Sequence, residues 1–218
     1  MFRVPALVGA AALIASSLSA APAWSAACVQ GSVASYIALG STGCSVGGVT
    51  FSNISVTTTT SNGGQVNLND FFPFIFGNEF GLTLGYSALA QSPNATADIK
   101  WEYNVSGVPA INDAFLALAG NTSGSGQAVV SEVLSNGVTL SLNAPGSTTA
   151  TFAPISALHV MKDQIDFVGL TTGFATTSAL TNAFSLVPGP VVGAGLPGLV
   201  LACGGLIGLA RRRRRHIA

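Results

Sequence analysis

Hydrophobic and polar residues alternate with a period of two in one stretch after another along the middle of this chain. The cleanest stretch is 98–106, where Ile99, Trp101, Tyr103 and Val105 fall on one parity and Asp98, Lys100, Glu102 and Asn104 on the other. That is the signature of a half-buried β-strand, because successive side chains of a strand point to opposite faces. Phe80, Leu82, Leu84 and Tyr86 alternate with Gly81, Thr83, Gly85 and Ser87, and Val138, Leu140 and Leu142 with Thr139, Ser141 and Asn143. Val49 and Phe51 share one parity but Ile54 and Val56 resume on the other, which predicts a bulge or bend near Ser52-Asn53. Further strands are expected over about 127–134, 147–152, 156–162, 165–169 and 179–186. Only Ile111–Ala119 reads equally well as a short helix or a strand, and Thr57–Ser61 reads as a solvated loop or an edge strand.

Turn residues punctuate these runs: Asn62-Gly63-Gly64, Ser92-Pro93-Asn94, Gly124-Ser125-Gly126, Asn136-Gly137 and Ala144-Pro145-Gly146. Asn136-Gly137 is the strongest hairpin signal, since both residues accept the positive φ of a type I′ turn. Many short strands with polar outer faces pack as two antiparallel sheets around one core. The expected fold is therefore an all-β antiparallel sandwich of jelly-roll or Greek-key type. Trp101, Tyr103, Phe80, Phe115 and Phe152 are assigned to its core.

The ends have a different character. Arg3 precedes an apolar run from Val4 to Ala20, followed by the small residues of Ala21–Ala27. This three-part layout predicts a secretory signal peptide over 1–26, with cleavage after Ala23, Ser25 or Ala27 all compatible with its rule. At the other end, 191–210 carries no charge over a length that fits a membrane-crossing helix. Arg211, Arg212, Arg213, Arg214 and Arg215 follow at once. By the positive-inside rule they hold that end in the cytoplasm and leave 27–190 outside the inner membrane.

Net charge is formally zero, with eight Lys+Arg and eight Asp+Glu, but the signs are segregated. All eight carboxylates lie between the end segments, where Lys100 and Lys162 are the only cations. Phosphate neutralisation needs clustered Lys and Arg, so a nucleic-acid partner is excluded for this middle part.

Val187-Pro188-Gly189-Pro190, the apolar helix and the Arg block together resemble the PEP-CTERM sorting signal of exported Gram-negative proteins. Leu158–Ile165, Phe184-Ser185 and Cys44–Asn53 are also similar to the ectodomains of that family. The usual Pro-Glu-Pro reads Pro188-Gly189-Pro190 here, so the processing enzyme must tolerate loss of the carboxylate. The resemblance implies three parts: a signal peptide, an ectodomain over 27–186 and a sorting segment over 187–218. It implies a membrane transpeptidase of the exosortase type as partner, transient residence in the inner membrane, and delivery to the cell surface or medium. A structural or adhesive role with exopolysaccharide follows from the same resemblance.

Chemistry inside the exported part is sparse. Cys28 and Cys44 are an even pair in an oxidising compartment and predict a disulfide; Cys203 lies in the apolar helix. His159 is the single histidine there and is expected to be solvated; one His cannot build a two-His metal site. No nucleophile elbow, phosphate loop or dinucleotide fingerprint occurs, and neither a cofactor nor a metal is expected. A triad of His159 with a serine and Asp163 or Asp166, or a carboxylate pair drawn from Glu79, Glu102 and Glu132, would make a hydrolase. Asn67, Asn69, Asp70, Asp163 and Asp166 offer oxygen ligands, too thinly spread for calcium. The expected reading is a non-enzymatic surface protein. A specific carbohydrate-binding module is the alternative, to be favoured by Tyr36, Trp101 or Tyr103 facing outward.

Overall fold

The strand pattern is realised almost without exception in the computed structural model, which describes residues 25–187. The expected signal peptide up to residue 24, the Pro188-Gly189-Pro190 motif, the 191–210 helix and Arg211–Arg215 lie outside the described residues. Among the described residues nine strands and one short helix follow in order: β1 (Ala26–Ala27), β2 (Gly31–Ser32), α1 (Val33–Ala38), β3 (Cys44–Val46), β4 (Val49–Ser61), β5 (Gln65–Phe76), β6 (Glu79–Ala90), β7 (Thr96–Leu134), β8 (Thr139–Leu142) and β9 (Gly146–Ser185). Among the described residues no helix is long and apolar enough to cross a membrane.

β7 and β9 are far longer than any predicted strand, 39 and 40 residues. Each bends through the molecule and contributes three segments, so that one curled sheet closes into a β-sandwich of two facing layers. In the first layer the neighbours run β1, β3, β4, residues 96–106 of β7, 157–168 of β9, 126–134 of β7, and β8. In the second they run β2, β5, β6, residues 175–185 of β9, 114–124 of β7, and the start of β9 from 146. All pairings are antiparallel except the short β1–β3 pair.

Of the predicted breaks inside 147–186, those near 153–155 and 170–178 hold corners where the strand changes layer without losing extended backbone, whereas 163–164 runs on within one segment. Gly124-Ser125-Gly126 is another corner. A Cβ on Gly126 would lie 1.9 Å from the Phe174 carbonyl oxygen, so the two chain segments cross there only because that side chain is missing. Ile111–Ala119 is strand, not helix, with Ile111, Ala114, Leu116 and Leu118 buried. The bulge near Ser52-Asn53 is present: register slips between Ser52 and Ser55, and Asn53 has φ 51°. Thr57–Ser61 pairs with β7 on one side only, an edge strand as expected.

The 136–137 hairpin joins β7 to β8, but not through a type I′ turn. Among its residues only Gly137 has positive φ, at 87°. Gly137 N–H donates to Leu134 O at 2.9 Å and Leu134 N–H to Val138 O at 2.9 Å, giving a three-residue loop with the glycine in the left-handed position. Asn136 instead uses its side-chain oxygen to accept from Val138 N–H at 3.1 Å.

The core is built where the alternation places it. Phe51, Phe71, Trp101, Tyr103 and Phe184 are all buried between the layers, with Phe71–Trp101 and Trp101–Tyr103 ring centroids 5.1 and 5.0 Å apart. Phe80 and Phe152 are partly buried against this cluster. Phe115 does not join it, because its neighbours Ala114 and Leu116 take the inward parity. Cys28 and Cys44 form the predicted disulfide, Cα–Cα 4.9 Å. The loop it closes contains α1, capped by Ser32 Oγ accepting from Ser35 N–H at 3.2 Å. Tyr36 of α1 is buried against Phe71 and donates to Val29 O at 2.8 Å.

Candidate functional site

Each layer has one face turned away from the core, and the two faces differ chemically. On the second layer, inward Phe71, Leu82, Leu84, Leu180, Asn182 and Phe184 fix the parity, so their sequence neighbours point out. Phe72, Phe74 and Phe76 of β5 and Phe115 of β7 therefore emerge on the outer face. Register carries Phe74 across Gly81 and Ala183 to Phe115 in one line. Because glycine and alanine occupy the two middle positions, the rings lean towards each other above them. Their planes lie 5° from parallel with centroids 5.9 Å apart, and Ala183 is fully covered. Phe72 lies over Gly85 in the same way: a Cβ there would stand 2.9 Å from its ring. Phe74 and Phe115 are themselves half-buried, while Phe72 and Phe76 are 38% and 75% exposed.

Polar groups frame this platform. Thr83 and Thr181 share a hydrogen bond at 2.8 Å one step along the same strands, and Asp113 accepts from Ser185 N–H at 2.6 Å at the other end. Glu79 sits beside them with its carboxyl pushed up by burial first and by the Asp113 charge second. Exposed ring surface of the kind Phe72 and Phe76 offer, edged by hydroxyls and carboxylates, can stack on the apolar face of a sugar ring and hydrogen-bond its rim.

The outer face of the first layer is charged instead. An open depression of about 560 Å³ is lined by Asp98, Lys100, Glu102, Met161 and Asp163 among others, and one of about 430 Å³ by Ser52, Asn104, Ser135 and His159 among others. Lys100 Nζ is 3.6 Å from Asp163, with both side chains more than half exposed. Asp98 is pushed up to about 6, by burial first and then by the Asp163 carboxyl beside it, against the pull of Lys100.

The residues proposed for hydrolysis are not brought together. Glu102 lies on the first outer face, Glu79 on the second, and Glu132 is buried in the core. His159 is exposed as expected and its Nδ1 meets Asn104 Oδ1 at 2.9 Å, not a carboxylate. Asp166 points into the core, where it accepts from Gln164 Nε2 and Thr177 Oγ1 at 2.9 Å each. Asp70 accepts from Gln30 Nε2 at 3.0 Å, and among the described residues no group of three or more His, Cys, Asp or Glu is placed to hold a metal ion. Tyr36, Trp101 and Tyr103, whose outward placement would have favoured a carbohydrate-binding module, are all core residues, as the sequence places Trp101 and Tyr103. The phenylalanines that do form a face were missed for a definite reason. Phe71-Phe72-Pro73-Phe74-Ile75-Phe76 is apolar on both parities, so alternation could not say which side carried the open rings.

No protein-family model matches the chain, and no curated protein matches it either. Among solved structures it is similar to a family two carbohydrate esterase from Cellvibrio japonicus, at 16% identity over 63% of this chain and 36% of that one, TM-score 0.25. It is similar to TmCBM61 in complex with β-1,4-galactotriose at 7% identity over 58% and 86%, TM-score 0.28. A family 11 carbohydrate-binding module of a Clostridium thermocellum cellulosomal cellulase aligns at 10% identity over 62% and 91%, TM-score 0.22. Likenesses this low leave the site to be read from its own chemistry.

Proposed function

We propose that this is an exported, non-enzymatic surface protein whose β-sandwich, rolled up in jelly-roll fashion, holds polysaccharide on the outer face of its second layer. The observation that carries the binding role is the Phe74–Phe115 platform. The two rings stack on one another, half-buried, over Gly81 and Ala183, and Phe72 and Phe76 on the same outer parity stay exposed where burial would ordinarily be favoured. The charged face of the first layer suits catalysis poorly. Lys100 is ion-paired to Asp163 there, and of the three glutamates that could form a carboxylate pair only Glu102 lies on that face.

Export and delivery rest on the two ends of the sequence. The signal peptide passes 27–186 across the inner membrane, and an exosortase-type transpeptidase acts at Pro188-Gly189-Pro190, with 191–210 and the Arg211–Arg215 block as membrane stop. The Cys28–Cys44 disulfide supports an oxidising destination.

Electrophoresis of the exported protein through gels containing neutral or acidic polysaccharides tests the binding role. Retardation by at least one polymer is expected, weakened about tenfold in affinity by Phe74→Ala or Phe115→Ala through loss of ring stacking. Unchanged mobility in every gel would remove the proposal. The intact mass of the protein recovered from the cell surface or medium tests the sorting: loss of everything C-terminal to the Pro-Gly-Pro region is expected, and a retained tail would contradict it.

A further inference from the structure

Far from either face, the core encloses a charged pair. Lys162 and Glu132 are cross-strand partners in the first layer, both side chains 0% exposed, with Nζ 3.4 Å from a carboxylate oxygen. Asn182 reaches them from the second layer and is itself fully buried. Lys162 Nζ donates to Asn182 Oδ1 at 2.7 Å, and Asn182 Nδ2 donates to the two Glu132 oxygens at 3.2 and 3.0 Å. The Tyr103 hydroxyl donates to the same Oδ1 and accepts from Lys162 Nζ at 3.0 Å. The rings of Trp101 and Tyr103 each lie 4.7 Å from Nζ.

As a plain ion pair this arrangement is costly, since desolvating two charges commonly outweighs their attraction. Burial draws Lys162 down to about 8 and pushes Glu132 up. Both directions favour passing a proton from ammonium to carboxylate, which leaves a neutral amine against an amide whose oxygen already holds hydrogen-bond donors. The three parts of an acyl transfer are then present: a nucleophile, a polarised carbonyl and one acid/base group touching both attacking and leaving nitrogens.

We propose that Lys162 and Asn182 become joined by an intramolecular amide bond, with Glu132 as proton carrier and Tyr103 as donor to the carbonyl oxygen. Glu132 takes a proton from the Lys162 ammonium, and Nζ adds to Asn182 Cγ. The negative charge that develops on Oδ1 is held by the Tyr103 hydroxyl. Glu132 then protonates Nδ2 and accepts the second surplus proton from Nζ. The Cγ–Nδ2 bond breaks as the carbonyl reforms, and ammonia leaves, carrying that last proton from Glu132 as ammonium. One C–N bond forms and one breaks, nothing is oxidised, and no co-reactant is required. The product ties the two layers together covalently and replaces a buried cation by a neutral amide.

Mass spectrometry of the full chain, purified without any variant, decides the matter. The expected intact mass is lower than the sequence mass, after allowance for the disulfide, by one ammonia. A tryptic digest should contain a branched peptide joining Lys162 to Asn182 and no cleavage after Lys162. The branched peptide is the decisive readout, since cyclisation at an Asn-Gly step also expels ammonia. Amine labelling under denaturing conditions should modify Lys100 and spare Lys162. Glu132→Gln, which keeps shape and hydrogen bonding, should restore full mass and a labelled Lys162, as should Lys162→Met. Linear peptides with a labelled Lys162 after prolonged incubation of the folded native protein at mildly alkaline pH would overturn the proposal. A cross-link that survives Glu132→Gln would overturn the role of Glu132.

Discussion

Replacing both Cys28 and Cys44 by serine removes the one covalent tie between the N-terminal segment and the first layer. The bond spans 16 residues of sequence, and both cysteines are buried, at 8% and 3% exposure. In the chain-entropy account, a loop of that length stabilises the fold by about 3 kcal/mol. What is held is specific: β1 is only two residues long and pairs with β3, and Cys28 N–H donates to Ser45 O at 2.9 Å. Tyr36 must also remain packed on Phe71, which in turn covers Trp101. Urea unfolding followed by tryptophan fluorescence should show a midpoint lowered by about 1–2 M, with a slope equal or somewhat steeper because the uncrosslinked unfolded chain exposes more surface. Adding reductant should reproduce the shift in the native chain and leave the double variant where it is. Equal midpoints for variant and native protein would refute the reasoning, because the segment would then be held by packing alone.

Two further predictions concern the core and the register. Asp166 is raised to about 6 from its ordinary 3.8, by burial against the hydrogen bonds from Thr177 and Gln164. The folded protein therefore holds this proton where the unfolded chain has lost it, so the contribution of Asp166 to stability is full below about pH 4 and is lost as pH rises through 6. Asp98, also raised to about 6, acts in the same direction. Thermal melts across that range should show the decline, flattened by Asp166→Asn, and a rise in its place would reverse the sign argument. Gly81→Val should cost several kcal/mol in the same melts, since its Cβ would meet Asn182 O at 2.1 Å and Ala183 at 2.6 Å. A neutral effect would show that the second layer tolerates a wider spacing between β6 and β9.

Strand parity was the most legible part of the chain. The alternation of 98–106 gave Ile99, Trp101, Tyr103 and Val105 as inward, and all four are buried. The slip at Ser52-Asn53 and the Cys28–Cys44 bond were equally readable, one from a change of parity and the other from cysteine count and compartment. The lengths of β7 and β9 were not, because corners between layers use the same Gly, Pro and Ser residues as turns that end strands. Phe115 was misplaced because size and hydrophobicity mark a core residue, whereas its parity, set by Leu116, sends it outward. Lys162, Gln164 and Asp166 continue the inward parity of Leu158 and Val160. Alternation alone would have put three polar side chains in the core, a conclusion that ordinary burial preferences oppose. Lys162 and Asp166 find Glu132, Asn182 and Thr177 on other segments, so no local pattern announces those contacts, and Gln164 Oε1 is left without a hydrogen-bond partner.

Titration of isotopically labelled protein with soluble polysaccharides, followed by amide chemical shifts, tests the binding role most directly. Shifts clustered on Phe72–Phe76, Gly81–Thr83, Phe115 and Thr181–Ala183 are predicted. Shifts confined to the opposite layer around Lys100 and His159, or none with any polymer, would contradict the assignment of the aromatic face.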